Sequence, residues 1–93
     1  MKNFFSDLNR HLLVENMKKS FRKKGFLVDK IIIDDYSYGS IKADILTGCG
    51  NKIVVEEYDK KITWKLNNIS MGEVIGNNIC DVSGDYEYQM KKG

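Results

Sequence analysis

The amino-acid sequence predicts an α+β fold: an N-terminal helix packed on an antiparallel β-meander of four to six strands, a two-layer sandwich forming one domain over residues 1–93. Three observations predict it. Residues 4–24 contain no Gly or Pro and stop at Gly25. After Gly25 the apolar residues recur with a period of two. The segments between the alternating runs are hairpin-length, too short for the crossover of a dozen residues that a parallel pair needs.

The helix comes first. Ser6 or Asn3 can cap its start, Asp7 lies in the first turn, and Gly25 stands where a left-handed C′ residue would end it. Lys18, Lys19, Arg22, Lys23 and Lys24 load its last turns with cations, which suits the negative end of the helix dipole. Phe26–Asp34 reads as a strand around Ile31-Ile32-Ile33, and Tyr36–Ser40 as a turn. Ile41, Ala43, Ile45 and Thr47 alternate with polar residues in a second strand. Gly48-Cys49-Gly50-Asn51 is a tight turn, and it opens a strand, so the helix-terminus mechanism of a glycine-rich phosphate loop does not apply. Ile53–Tyr58 and Ile62–Leu66 are the third and fourth strands, joined at Asp59-Lys60-Lys61. The helix is expected to cover the face bearing Ile41, Ala43, Ile45, Ile62, Trp64 and Leu66.

Beyond Asn67-Asn68 the signals weaken. Ser70-Met71-Gly72-Glu73 matches a capping box that would start a short helical turn through Val74 and Ile75, and a strand over Glu73–Ile75 competes with it. Ile79–Val82 reads as a strand. Tyr86, Tyr88 and Met90 alternate with Glu87 and Gln89, the pattern of a final edge strand.

The helix has two apolar stripes. At 100° per residue, Leu13, Val14, Met17 and Phe21 form one, with Lys18, Lys19, Arg22 and Lys23 opposite. Phe4, Phe5, Leu8 and Leu12 form a second, on the side the lysines occupy further along. Each would gain ~1.5–3 kcal/mol on burial, and small monomers rarely leave such a patch in water. Three readings account for it. It is an interface for a second copy or a partner protein, it is covered by the C-terminal third through Tyr86, Tyr88 and Ile79, or the helix begins at Ser6 or later and Phe4 and Phe5 form an extended arm.

Composition excludes several classes. A 42% hydrophobic chain of 93 residues is ordinary for one globular domain, not a disordered, collagenous or disulfide-dense one. No apolar run approaches the roughly 18 residues of a membrane span, and no signal-peptide core precedes the first charges, so a cytoplasmic protein without membrane association is expected. The net charge of +2 hides a split: residues 1–30 carry +5 and residues 31–93 carry −3. The basic cluster Lys18, Lys19, Arg22, Lys23 and Lys24 could bind phosphates, or it is a solvated helix face. Aromatics for stacking on bases could come only from Tyr36, Tyr38, Tyr86 or Tyr88.

No catalytic set, metal site or cofactor site is expected. Cys49, Cys80 and His11 are the only Cys or His residues, one short of a structural zinc site, and both thiols are expected to be reduced. Nothing in the sequence places His11 beside a thiol. Asp44 and Glu56 have nuclease-like spacing, but position 58 is Tyr58 instead of lysine and the chain has no proline. These acids are read as strand residues pairing with Lys42, Lys52 and Lys60. The expected function is therefore that of a small non-enzymatic binding or inhibitor protein acting by protein–protein contact. Its type is analogous to accessory, anti-defence proteins of bacteriophages or mobile elements. Its partner would be another protein or a second copy. The alternative is a nucleic-acid-binding protein using the basic half of the helix.

Overall fold

The computed structural model describes the backbone of residues 4–37 and 39–92, and side chains from Leu8 onward except at position 38. A 20-residue helix, α1 (Phe4–Lys23), is followed by strands β1 (Val28–Ser37), β2 (Ser40–Thr47), β3 (Lys52–Tyr58), β4 (Lys61–Leu66) and β5 (Ile69–Glu73). A 3₁₀ turn (Ile79–Asp81) then leads into α2 (Val82–Lys92). The strands lie in sequence order, β1-β2-β3-β4-β5, and every neighbouring pair is antiparallel.

Local chemistry explains most of these boundaries. Gly25 adopts φ +91°, Phe26 N–H donates to the Phe21 carbonyl at 2.9 Å, and Gly25 N–H donates to the Arg22 carbonyl at 3.0 Å. That is the Schellman ending expected of a C′ glycine. Asp59-Lys60 and Asn67-Asn68 each place two successive residues at positive φ, 49° and 66°, then 51° and 71°. This is the type I′ geometry whose twist matches a two-residue hairpin. Asn67-Asn68 therefore ends β4 by folding the chain straight into β5.

Register sorts the side chains onto two faces. Ala43 lies opposite Ile33 and Val55, and Val55 opposite Trp64; Ile45 lies opposite Ile31 and Ile53. These residues face α1, which contributes the fully buried Met17 and Phe21. Ile62 and Trp64 are buried as the alternation requires, while Ile41 and Leu66 are half-buried at the margins. Lys30, Ile32, Lys42, Asp44, Leu46, Val54 and Glu56 fall on the other face, which no helix covers.

The last third departs from expectation. Tyr86, Tyr88 and Met90 lie on α2, not on an edge strand, and Ile79–Asp81 is a 3₁₀ turn, not a strand. Asn78 caps this turn: its Oδ1 accepts from Cys80 N–H at 2.8 Å, and Asp81 Oδ2 accepts from Asn78 N–H at 3.1 Å. That reciprocal pair is the capping box, eight residues beyond Ser70–Glu73, which instead belongs to β5. Tyr86 is fully buried, with its ring 4.9 Å from that of Phe26 and 5.8 Å from that of Phe21. Val82, one helical turn earlier, is also fully buried, so α2 is held by its core contacts more than by the propensity of a segment containing Gly84.

Candidate functional site: the solvent face of helix α1

Helical geometry sets what α1 shows to solvent. Taking 100° per residue, Met17 and Phe21 point to about 260° and 300° and into the core. Leu8, Leu12, Lys19 and Lys23 point to about 80°, 120°, 100° and 140°, on the far side. Leu8 and Leu12 are 43% and 50% exposed. Lys19 and Lys23 are exposed as well. The apolar and basic clusters thus run end to end along one helix face, and the side chains of Phe4 and Phe5 lie outside the described residues.

The expectation that the C-terminal third covers this patch is overturned. Tyr86 and Ile79 are core residues packed beneath the other end of α1, and Tyr88 is 66% exposed. The late-starting-helix reading is overturned too, because helical backbone begins at Phe4.

The five cations differ in their surroundings. Lys18, at about 0°, is half-buried against the flank of the helix, and Arg22 extends from that same flank. Lys24, past the helix end, turns toward α2, with Nζ 4.0 Å from Glu87 Oε1. Lys19 and Lys23 remain together and, with Asn16, Ser20, Asn77, Asn78, Cys80 and Asp81, line an open cleft of about 420 Å³ between α1 and the segment after β5. The acids of the second half are likewise redistributed. Residues 28–73 carry a net −2, whereas Asp81, Asp85 and Glu87 lie on the 3₁₀ turn and α2, next to the basic helix. They soften its positive potential.

A second polar cluster, at the β2–β3 turn, could not be read from the sequence. Asn51 Nδ2 donates to Tyr86 Oη at 2.8 Å, and Asn67 Nδ2 donates to Asn51 Oδ1 at 3.0 Å. Cys49 Sγ sits 3.4 Å from Thr47 Oγ1, 3.6 Å from Tyr86 Oη and 3.6 Å from Asn51 Nδ2. The Thr47 and Tyr86 hydroxyls hold the Cys49 thiol below the ordinary thiol range, while burial pushes the Tyr86 phenol and the Cys80 thiol up. Both cysteines are free. Only the short Gly-Cys-Gly-Asn turn marked this place in the sequence, and its partner Tyr86 lies 35 residues beyond Asn51.

On the open sheet face, Lys42 lies opposite Glu56 and Asp35 in register, as the cross-strand reading expects, whereas Lys60 sits in the β3–β4 turn. Burial and the neighbouring Asp34 push the Asp44 carboxyl up, against the pull of Lys52 and Lys42. Among the described residues, no three His, Cys, Asp or Glu side chains group in a way that could hold a metal ion. No helix there is long and apolar enough to cross a membrane. Comparison of the chain with protein-family models, curated proteins and solved structures finds no match.

Proposed function

We propose that this α+β chain is a small non-enzymatic binding protein that occludes the surface of a partner protein with the solvent face of α1. The observation that carries the reading is the exposure of Leu8 and Leu12 on a helix whose opposite face already fills the core. Leucines at i and i+4, continued by lysines at i+11 and i+15, suit an apolar groove bounded at one end by acidic side chains. The apolar half would supply desolvation, and the basic half would supply register and a faster encounter. The proposed setting is the cytosol, where both thiols stay reduced. The reading extends to accessory, anti-defence proteins of bacteriophages and mobile elements by analogy of type alone.

The test is capture of the partner with the wild-type chain, repeated with Leu8→Ser/Leu12→Ser and with Lys19→Glu/Lys23→Glu. The leucine variant is expected to keep its fold and its solution mass and to lose the partner. The lysine variant is expected to bind more weakly and with less salt dependence. A leucine variant that still holds the partner, or that loses only fold stability, overturns the reading.

One observation favours nucleic acid as a second reading: Lys19 and Lys23 share their cleft with the amides of Asn77 and Asn78, donors suited to phosphate oxygens. Binding to duplex and single-stranded DNA across a salt series decides it, since phosphate-led affinity falls steeply with salt. No affinity at low salt removes it.

A further inference from the structure

The two edges of the sheet differ. β5 is short, five residues, and is interrupted by Gly72 at φ +89°. β1 is the longest strand, ten residues, and pairs only with β2. Its outer edge, across Lys30–Asp34, finds no further backbone partner among the described residues. Bulges interrupt β1 between Val28 and Lys30 and between Ile33 and Asp35, leaving a regular stretch around Ile31-Ile32-Ile33. Ile32 in its middle is 44% exposed. A long, apolar, unpaired edge is a template for another strand.

The sequence of that stretch selects the strand. Lys30-Ile31-Ile32-Ile33-Asp34 has opposite charges at its two ends. We infer that the β1 edge pairs antiparallel with the same edge of a second copy of this chain, centred on Ile32, so that Lys30 of each copy faces Asp34 of the other. Side chains directly opposite in an antiparallel pair lie on one face. Lys30 and Ile32 both lie on the uncovered face, opposite Leu46 and Asp44; Asp34 stands at the second bulge, without a partner in β2, and neighbours Asp44 of that face. In this register Ile32 meets its own equivalent, Ile31 meets Ile33, and two Lys–Asp pairs close the ends. Moving the centre to Ile31 puts Asp29 against Ile33; moving it to Ile33 puts Ile32 against Asp34. Only the Ile32 register matches apolar with apolar and positive with negative. The two-fold axis then stands perpendicular to the sheet, giving ten continuous strands with both α1 helices on one side. Its residues are distinct from Leu8, Leu12, Lys19 and Lys23.

The experiment is sedimentation of the intact chain over a wide concentration series, with circular dichroism to monitor the fold. The wild type is expected to reach twice its 10.7 kDa chain mass. Lys30→Asp sets two acids against each other at both ends, and Asp34→Lys sets two lysines; each alone is expected to weaken self-association by ~10-fold or more. Mixed in equal amounts, these two single variants are expected to regain wild-type association, because every facing pair is again of opposite charge. A wild type that stays monomeric throughout overturns the inference. So does a dimer indifferent to either substitution, or single variants that mixing fails to rescue.

Discussion

Replacing Tyr86 tests whether the C-terminal helix is a structural member of the core. The side chain is fully buried between Phe21 and Phe26, and its hydroxyl accepts one hydrogen bond, 2.8 Å long, from Asn51 Nδ2. Tyr86→Phe removes that bond and the weak 3.6 Å contact of the hydroxyl with Cys49 Sγ, and leaves the amide two weak sulfur neighbours, Cys49 and Met90. A typical net hydrogen bond is worth about 0.5–1.5 kcal/mol, so a loss near 1 kcal/mol is expected. Tyr86→Ala also empties the ring's volume and ends both aromatic contacts. Large aromatic truncations in cores cost about 3–5 kcal/mol, and aromatic pairing adds about 0.5–1.5 kcal/mol. Against a whole-domain stability of about 5–15 kcal/mol, that change brings the chain close to unfolding. Urea titration read by circular dichroism gives both values, with the slope confirming that the same transition is followed. A Tyr86→Ala loss below ~1 kcal/mol would refute the core assignment of α2. Equal losses for the two variants would show that the hydroxyl, not the ring, is what matters.

Two further outcomes follow from local geometry. Lys60 sits at φ +66° in the type I′ turn, a conformation glycine adopts without strain, so Lys60→Gly is expected to raise stability by about 0.5–1 kcal/mol in the same urea assay. Hydrogen-bond donors stabilise the Cys49 thiolate, whereas burial and the nearby Asp81 disfavour that of Cys80. Alkylation by iodoacetamide is therefore expected to reach Cys49 at a lower pH than Cys80. Thr47→Val, which removes the first donor, is expected to move the Cys49 profile upward, and an unmoved profile would discard the hydroxyl as its cause.

The meander was legible because its signals are local. Alternation around Ala43 and Ile45, the Gly25 stop and the Asp59-Lys60 turn each rest on a few adjacent residues, and burial in register agrees with them. The C-terminal helix was not, because its cause is distant. Tyr86 and Tyr88 are two apart, which mimics a strand, yet one is buried and the other largely exposed. Helix α2 depends on Phe21, Phe26 and Asn51, none of which a window around residue 86 contains. A local sign was present in Asn78-Ile79-Cys80-Asp81, whose cap spacing is the same as that of Ser70–Glu73. On α1 the paired apolar and basic clusters were visible by helical phase, but the diversion of Lys24 toward Glu87 needed the position of α2.

The sequential strand order also governs how the chain is made. Each strand pairs with its neighbour in sequence, so hairpins can close as soon as they leave the ribosome. The apolar face they build is different. Val82 and Tyr86 complete its cover, and they belong to α2, which follows all five strands in the chain. A nascent chain therefore carries a paired but partly uncovered sheet until α2 emerges. During that interval its apolar face is open to premature contact with other nascent copies, and docking of α2 ends it.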